Sequence, residues 1–210
     1  MVFQDLQLEY LDLYLIHWPF SFESDEHGHS RTDENGVAIL SPVPLSETWS
    51  AMEELVRRGK VRAIGVSNFT QAHLEKVLNF AEIRPVANQV ELHPYLPQNR
   101  LVSYCETNGV KVIAYSSFGS GKHPYLLQDP TIVNMAAGLG MTPAQVLLSW
   151  ATTRGVPVIP KTANPDRLEE NFNLKLLSAE DMRKISTIPT RYRYINPVEF
   201  WKRDCFVGEE

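Results

Sequence analysis

The stretch LDLYLIHWP, residues 11–19, is an apolar run that reaches its first strongly polar aromatic at His17 and is stopped by Trp18-Pro19. Such a run reads as a strand covered on both faces, ending on a side chain that can face a site. Working outward, short runs of the same kind recur at 63–67, 86–90, 112–115 and 156–159, so strands are expected there and at 11–17. Amphipathic stretches separate them. A helix capped by Ser46 would carry Trp49, Met52, Leu55 and Val56 and stop at Gly59, and one capped by Thr70 would carry Leu74, Val77 and Leu78. Further helices are expected at 100–107, 130–138, 143–153, 166–172 and 179–186.

Two segments break the alternation. Residues 20–44 are polar and rich in Asp, Glu, Gly, Ser and Pro, and read as one extended loop. The tail, 189–210, carries Tyr192, Tyr194, Phe200, Trp201 and Phe206 without helical or strand spacing, which predicts that it packs over something. No internal repeat longer than the βα unit is expected.

A βα series fits either an open doubly wound sheet or a (β/α)₈ barrel. The glycines favour the barrel, because Gly65, Gly119, Gly121 and Gly155 form no G-x-G-x-x-G after a strand. The polar residues favour it too. His17, Ser67 and Asn68, then Asn88, Gln89 and Glu91, then Tyr115 and Ser116, then Lys161 all stand at C-terminal strand ends, where a barrel keeps its site.

Composition bounds the rest. A chain of 210 residues, 43% hydrophobic and 21% charged, can bury a sizeable core, and a single domain over 1–210 is expected. A formal charge of -5 argues against a nucleic-acid backbone or an acidic membrane as partner. Cys105 and Cys205 read as reduced thiols, and neither a leader pattern nor a run of 18 or more apolar residues is present, so a cytoplasmic location is expected.

Each candidate site residue has two readings. His17 can polarise a carbonyl oxygen or be a satisfied core histidine. Ser67, Asn68 and Gln89 can bond a carboxamide or merely cap helices, and Tyr115 can stack on a ring or fill the core. Lys161, Thr162, Asn164, Arg167, Glu170 and Asn171 surround a helix start at Pro165, an environment that suits phosphate; the other reading is a solvated helix with Arg167 and Glu170 paired. Glu23, Asp25, Glu26, His27, His29, Asp33 and Glu34 form an acidic, His-containing loop that reads as a solvated face, and no metal is expected.

Five stretches together, LDLYLIHWP (11–19), GKVRAIGVSNF (59–69), NQVELHPY (88–95), VIAYSSFGSG (112–121) and VIPKTANPDRLEENF (158–172), resemble the aldo-keto reductases, with a look closest to the sugar and polyol aldehyde reductases. The resemblance implies the α/β fold of a (β/α)₈ barrel and NADPH-dependent reduction of an aldehyde or ketone, with NADH also possible. It makes His17 the active-site histidine, Trp18 a wall of the substrate pocket, and Ser67, Asn68, Gln89, Tyr115 and Ser116 the nicotinamide contacts. Lys161 and Arg167 would hold the 2′-phosphate, with Thr162 beside them, and Glu170 and Asn171 would meet adenine. The loop 20–44 and the tail 189–210 would shape the pocket for a small carbonyl substrate, and the complete barrel would be a monomer.

The family's proton-donating tyrosine, with its lysine and aspartate, belongs to strands before the histidine strand. The chain therefore reads as N-terminally truncated, holding about five of eight βα units, with three units of roughly 30 residues each preceding it. Met1 then reads as an internal methionine of a shortened gene model or the start of a natural short isoform, and residues 2–10 as the end of a helix and its loop. The rival expectation is a catalytically inactive cofactor-binding or regulatory fragment. A third reading, an unrelated barrel lyase, would put a substrate phosphate at Lys161.

Overall fold

A computed structural model describes residues 5–206. Strands and helices alternate through β1 (Leu11–Ile16), α1 (Leu45–Arg57), β2 (Val61–Ser67), α2 (Gln71–Phe80), β3 (Ala87–Glu91), α3 (Asn99–Thr107) and β4 (Lys111–Tyr115). After two short 3₁₀ turns come α4 (Pro130–Leu139), α5 (Pro143–Thr153), α6 (Pro165–Phe172), α7 (Ala179–Ser186) and a single turn, α8 (Val198–Trp201). The strands are ordered β1-β2-β3-β4. Contacts gather the described residues into two compact units, one from 5–88, 103–111 and 196–206, the other from Gln89–Val102 and Val112–Ile195.

In the first unit β1 and β2 run parallel, with Leu11 opposite Val61 and Ile16 opposite Val66. Val86 N donates to Ile64 O and Lys111 N to Val86 O, which carries the ladder toward β3 and β4. The strands approach closely at Gly65. A Cβ there would lie 2.6 Å from Ala87 O and 2.8 Å from Leu15 Cδ2, so only glycine lets the neighbours close. Helix α1 covers this sheet with Trp49 and Met52, each fully buried apolar side chain of this size contributing about 1.5–3 kcal/mol. Its buried Glu53 is not a stray charge, since Oε1 accepts from Glu82 N at 2.8 Å and Ile83 N at 2.9 Å.

In the second unit Leu92 N donates to Tyr115 O, and Ala114 pairs in parallel with Val158. The expected strand at 156–159 is reduced to that one bridge. Pro157 and Pro160 flank Val158 and Ile159 and have no N–H to give, so a longer ladder cannot form. Helix α5 is the core of this unit, capped by a Thr142–Gln145 box, with every residue from Val146 to Ala151 buried. Gly140, at φ 63, ends α4 in the left-handed conformation.

Three further expectations need correction. Helix α1 begins at Leu45, with Pro44 as an extended N-cap whose carbonyl accepts from Glu47 N at 3.0 Å; Ser46 lies inside the first turn and caps nothing. Strand β1 is covered only in part. Asp12 and Tyr14 are exposed, the alternation of an edge strand. Residues 20–44 are more than a loop, because the pairs Phe22 with Leu40, Ser24 with Ser30 and Thr32 with Ala38 make an irregular antiparallel arm. Residues 1–4 and 207–210 lie outside the described residues, so of the helix end and loop expected at 2–10 only 5–10 is described, where residues 5–6 are helical. No single helix among the described residues is long and apolar enough to cross a membrane.

Candidate active site

His17 follows directly on β1, exposed, and opens into a cavity of about 310 Å³ in the first unit. Its backbone is fixed from the next strand, where Asn68 Nδ2 donates to His17 O at 2.8 Å. Aromatic rings wall the cavity. Trp18 meets Trp201 edge-on at 5.2 Å and Phe206 at 6.2 Å, and Phe22 packs on Trp201 at 4.5 Å. The arm and the tail are bonded to each other, Ala38 N to Trp201 O at 3.1 Å, Lys202 Nζ to Asn35 O at 2.6 Å and Arg203 Nε to Ala38 O at 2.5 Å. The tail's aromatics therefore do pack over something, and one of them lines the His17 cavity.

Ser67 and Asn68 are buried at the end of β2, with Asn68 at φ 63 and its amide also donating to Ser67 Oγ at 3.2 Å. Asn68 thus positions His17 whatever else it contacts. Asn88, not singled out for a role by the sequence, clamps the turn that follows: Nδ2 donates to Phe69 O at 2.8 Å and Oδ1 accepts from Phe69 N at 3.4 Å. A fully buried Asn inside an apolar strand was the available signal.

Thr70 caps α2 as expected and shares a capping box with His73, whose Nδ1 accepts from Thr70 N at 3.3 Å. Burial, with Lys76 nearby, lowers the His73 pKa from its ordinary 6.5. The unfolded chain then protonates first as pH falls below 6.5, so stability is lost over the interval between 6.5 and the lower folded value, and none of this term is lost above 6.5. Thermal melts across that interval should show the loss, and His73→Gln, which keeps the box without titrating, should remove it.

The second unit holds the other candidates. Tyr115, Ser116, Ser120, Gly121 and Lys161 line one cavity of about 520 Å³. Burial, and then the Glu91 charge, pushes the Tyr115 phenol up, so it stays neutral and offers its ring rather than a proton. Gln89 is half-buried on β3. Beyond the cavity, Asn164 caps α6 by accepting from Asp166 N at 2.9 Å, and Thr162 Oγ1 accepts from Asn164 N at 3.0 Å. Lys161 and Arg167 are exposed. The Glu170 carboxylate is taken by the Thr142 hydroxyl at the start of α5, not by Arg167. Asn171 is half-buried on α6. An aromatic face, hydroxyls and an ammonium in one cavity, with a second cation on the capped helix beyond, fit a ligand that is aromatic at one end and anionic along its length.

The acidic loop residues have local tasks. Asp25 Oδ1 accepts from His27 N and His29 N, and Asp33 Oδ1 accepts from Asn35 N and Val37 N, each at 2.9 Å. These are twin turns on the sequences DEHG and DENG, closed by Gly28 and Gly36 at positive φ, a short repeat visible in the sequence itself. Glu23 pairs with Arg31 at 3.0 Å.

Residues 2–189 match the Aldo/keto reductase family, and the chain belongs to that family. It is 44% identical over 209 residues to aldose reductase B of Dictyostelium discoideum, covering 97% of this chain and 67% of that one. It is 39% identical to human aldo-keto reductase family 1 member A1, over 92% of this chain and 62% of that one. The solved aldose reductase of Giardia lamblia superposes with a TM-score of 0.92 at 40% identity, covering 97% of this chain and 70% of the other. The fold is thus the aldo-keto reductase barrel type, as the five sequence blocks implied. The chain spans about two thirds of the length of the curated relatives it matches.

Proposed function

We propose that these residues serve the NADPH-dependent reduction of an aldehyde or ketone, a sugar or a small aliphatic or aromatic aldehyde, to the alcohol. The observation that carries the reading is the cavity shared by Tyr115, Ser116 and Lys161, a ring face and a cation in one enclosure. Bound NADPH supplies the hydride. Tyr115 presents its ring for stacking, Gln89 offers an amide, Thr162 braces the Asn164 cap, and Lys161 and Arg167 supply positive charge for the 2′-phosphate, with Glu170 and Asn171 at the adenine end. This donor set makes NADPH the favoured cofactor over NADH. Ser67 and Asn68 hold the strand end from which His17 works.

His17 would donate a hydrogen bond to the substrate oxygen and stabilise the charge that develops there, with Trp18 and Trp201 excluding water. Among the described residues no tyrosine lines the His17 cavity. No residue of this sequence is assigned the role of the family's tyrosine, lysine or aspartate, and a group of that kind would supply the proton. The alternative is an inactive cofactor-binding or regulatory fragment. Aldehyde-dependent NADPH oxidation by the purified chain, alone and mixed with the segment of the Dictyostelium relative that this chain does not span, separates the two. Oxidation in the mixture supports the reductase, NADPH binding without oxidation in either condition supports the fragment, and no binding overturns both.

A further inference from the structure

Within the second unit, the loop that follows β4 is built from conformations that non-glycine residues rarely adopt. Ser116, Gly119, Ser120 and Gly121 have φ of 54, 78, 53 and 66. A left-handed serine costs energy and persists only where surrounding structure over-determines it. One side of this loop, through Ser116, Ser120 and Gly121, lines the cavity that also holds Tyr115 and Lys161. The other side rests on Tyr194.

Tyr194 touches the loop at three places. Its ring lies against Gly119, where a Cβ would come within 2.8 Å of Cζ; its hydroxyl donates to Pro124 O; and its carbonyl accepts from Lys122 Nζ at 3.2 Å. Tyr194 is itself held from β3. The Glu91 carboxylate, fully buried, accepts from Tyr194 N at 2.6 Å, from Ile195 N at 2.9 Å and from His93 at 2.9 Å. The His93 ring then packs edge-on against the Tyr194 ring at 5.0 Å.

We propose that Tyr194, anchored by Glu91, is a positioning residue for the cofactor cavity: it locks the loop at 116–125 in the shape that presents Ser116 and Ser120 to the bound cofactor, and so sets how long the cofactor stays. The identity of the ligand rests on the reductase reading; the lock does not. A tyrosine that only filled space would affect stability and nothing else. A lock affects loop opening and ligand release while the fold is intact.

Tyr194→Phe keeps the ring and removes the bond to Pro124 O, which tests this directly. Trypsin cleavage after Lys122 should become about tenfold faster, the size of effect one neutral hydrogen bond carries, while cleavage after Arg57 and Arg58 and the melting temperature stay near wild type. NADPH dissociation followed by stopped-flow fluorescence should accelerate by a similar factor with the association rate little changed. Gly119→Ala, which pushes the ring away, should do the same. Unchanged cleavage at Lys122 overturns the lock, as does a uniform acceleration at all sites with a lowered melting temperature. If the wild-type chain binds no NADPH, the reductase reading fails, and cleavage at Lys122 alone decides the lock.

Discussion

Glu91→Ala should lower the stability of the chain by about 3–5 kcal/mol in denaturant titrations, the cost of removing one member of a buried hydrogen-bonded charge cluster. Both Glu91 and His93 side chains are 0% exposed. Without the carboxylate, Tyr194 N and Ile195 N are left as buried donors, and His93, whose Nδ1 has no hydrogen-bond partner among the described residues, loses its bond through Nε2 as well. Glu91→Gln fills the same volume but turns a donor toward one of the amides, and should cost less than the alanine. Burial pushes the Glu91 carboxyl up, yet the His93 hydrogen bond and charge and the two amides outweigh it and leave its pKa below the ordinary 4.5. Its stabilising term is therefore complete above 4.5 and is lost as pH falls through the lower folded value. A Glu91→Ala chain as stable as wild type would remove the cluster from any account of the fold.

His17→Asn should lower kcat of the active enzyme by about 10²–10³-fold, the range of losing one preorganised donor at a developing oxyanion. His17 is exposed at a strand end and lines a cavity, so shortening it empties no core, and the melting temperature and NADPH affinity should stay nearly unchanged. The proposed hydrogen bond strengthens mainly as charge develops on the oxygen, so kcat and kcat/KM should fall together. Normal turnover with a large loss of stability would return His17 to a packing role.

What the sequence made legible was local or repeated. The Thr70 cap and Asn164-Pro165 at the start of α6 carry their meaning within a few residues, and the structure places them as read; the run before His17 forms its strand, though covered only in part. Ser46 misled because a side-chain oxygen was sought where Pro44 supplies only an extended backbone and a carbonyl. The strand at 156–159 misled because β-branched residues signal a strand while the two flanking prolines limit its ladder. The bonds of Glu91 to Tyr194 and Ile195 span 103 and 104 residues, and those of Lys202 and Arg203 to the arm span more than 160. No periodicity reports contacts at that separation. The aromatic tail announced only that it must cover something; which cavity it covers came from geometry.

The proposed reductase depends on its cofactor, and the measurement that tests this most directly is a fluorescence titration of the purified chain with NADPH and with NADH, in wild type and in Lys161→Ala plus Arg167→Ala. Each lost charge-assisted contact to phosphate is worth about 1.5–3 kcal/mol, so the double variant should bind NADPH on the order of a hundredfold more weakly or worse, while NADH binding changes little. Equal losses for the two cofactors, or no saturable binding of NADPH by the wild-type chain, would contradict the account.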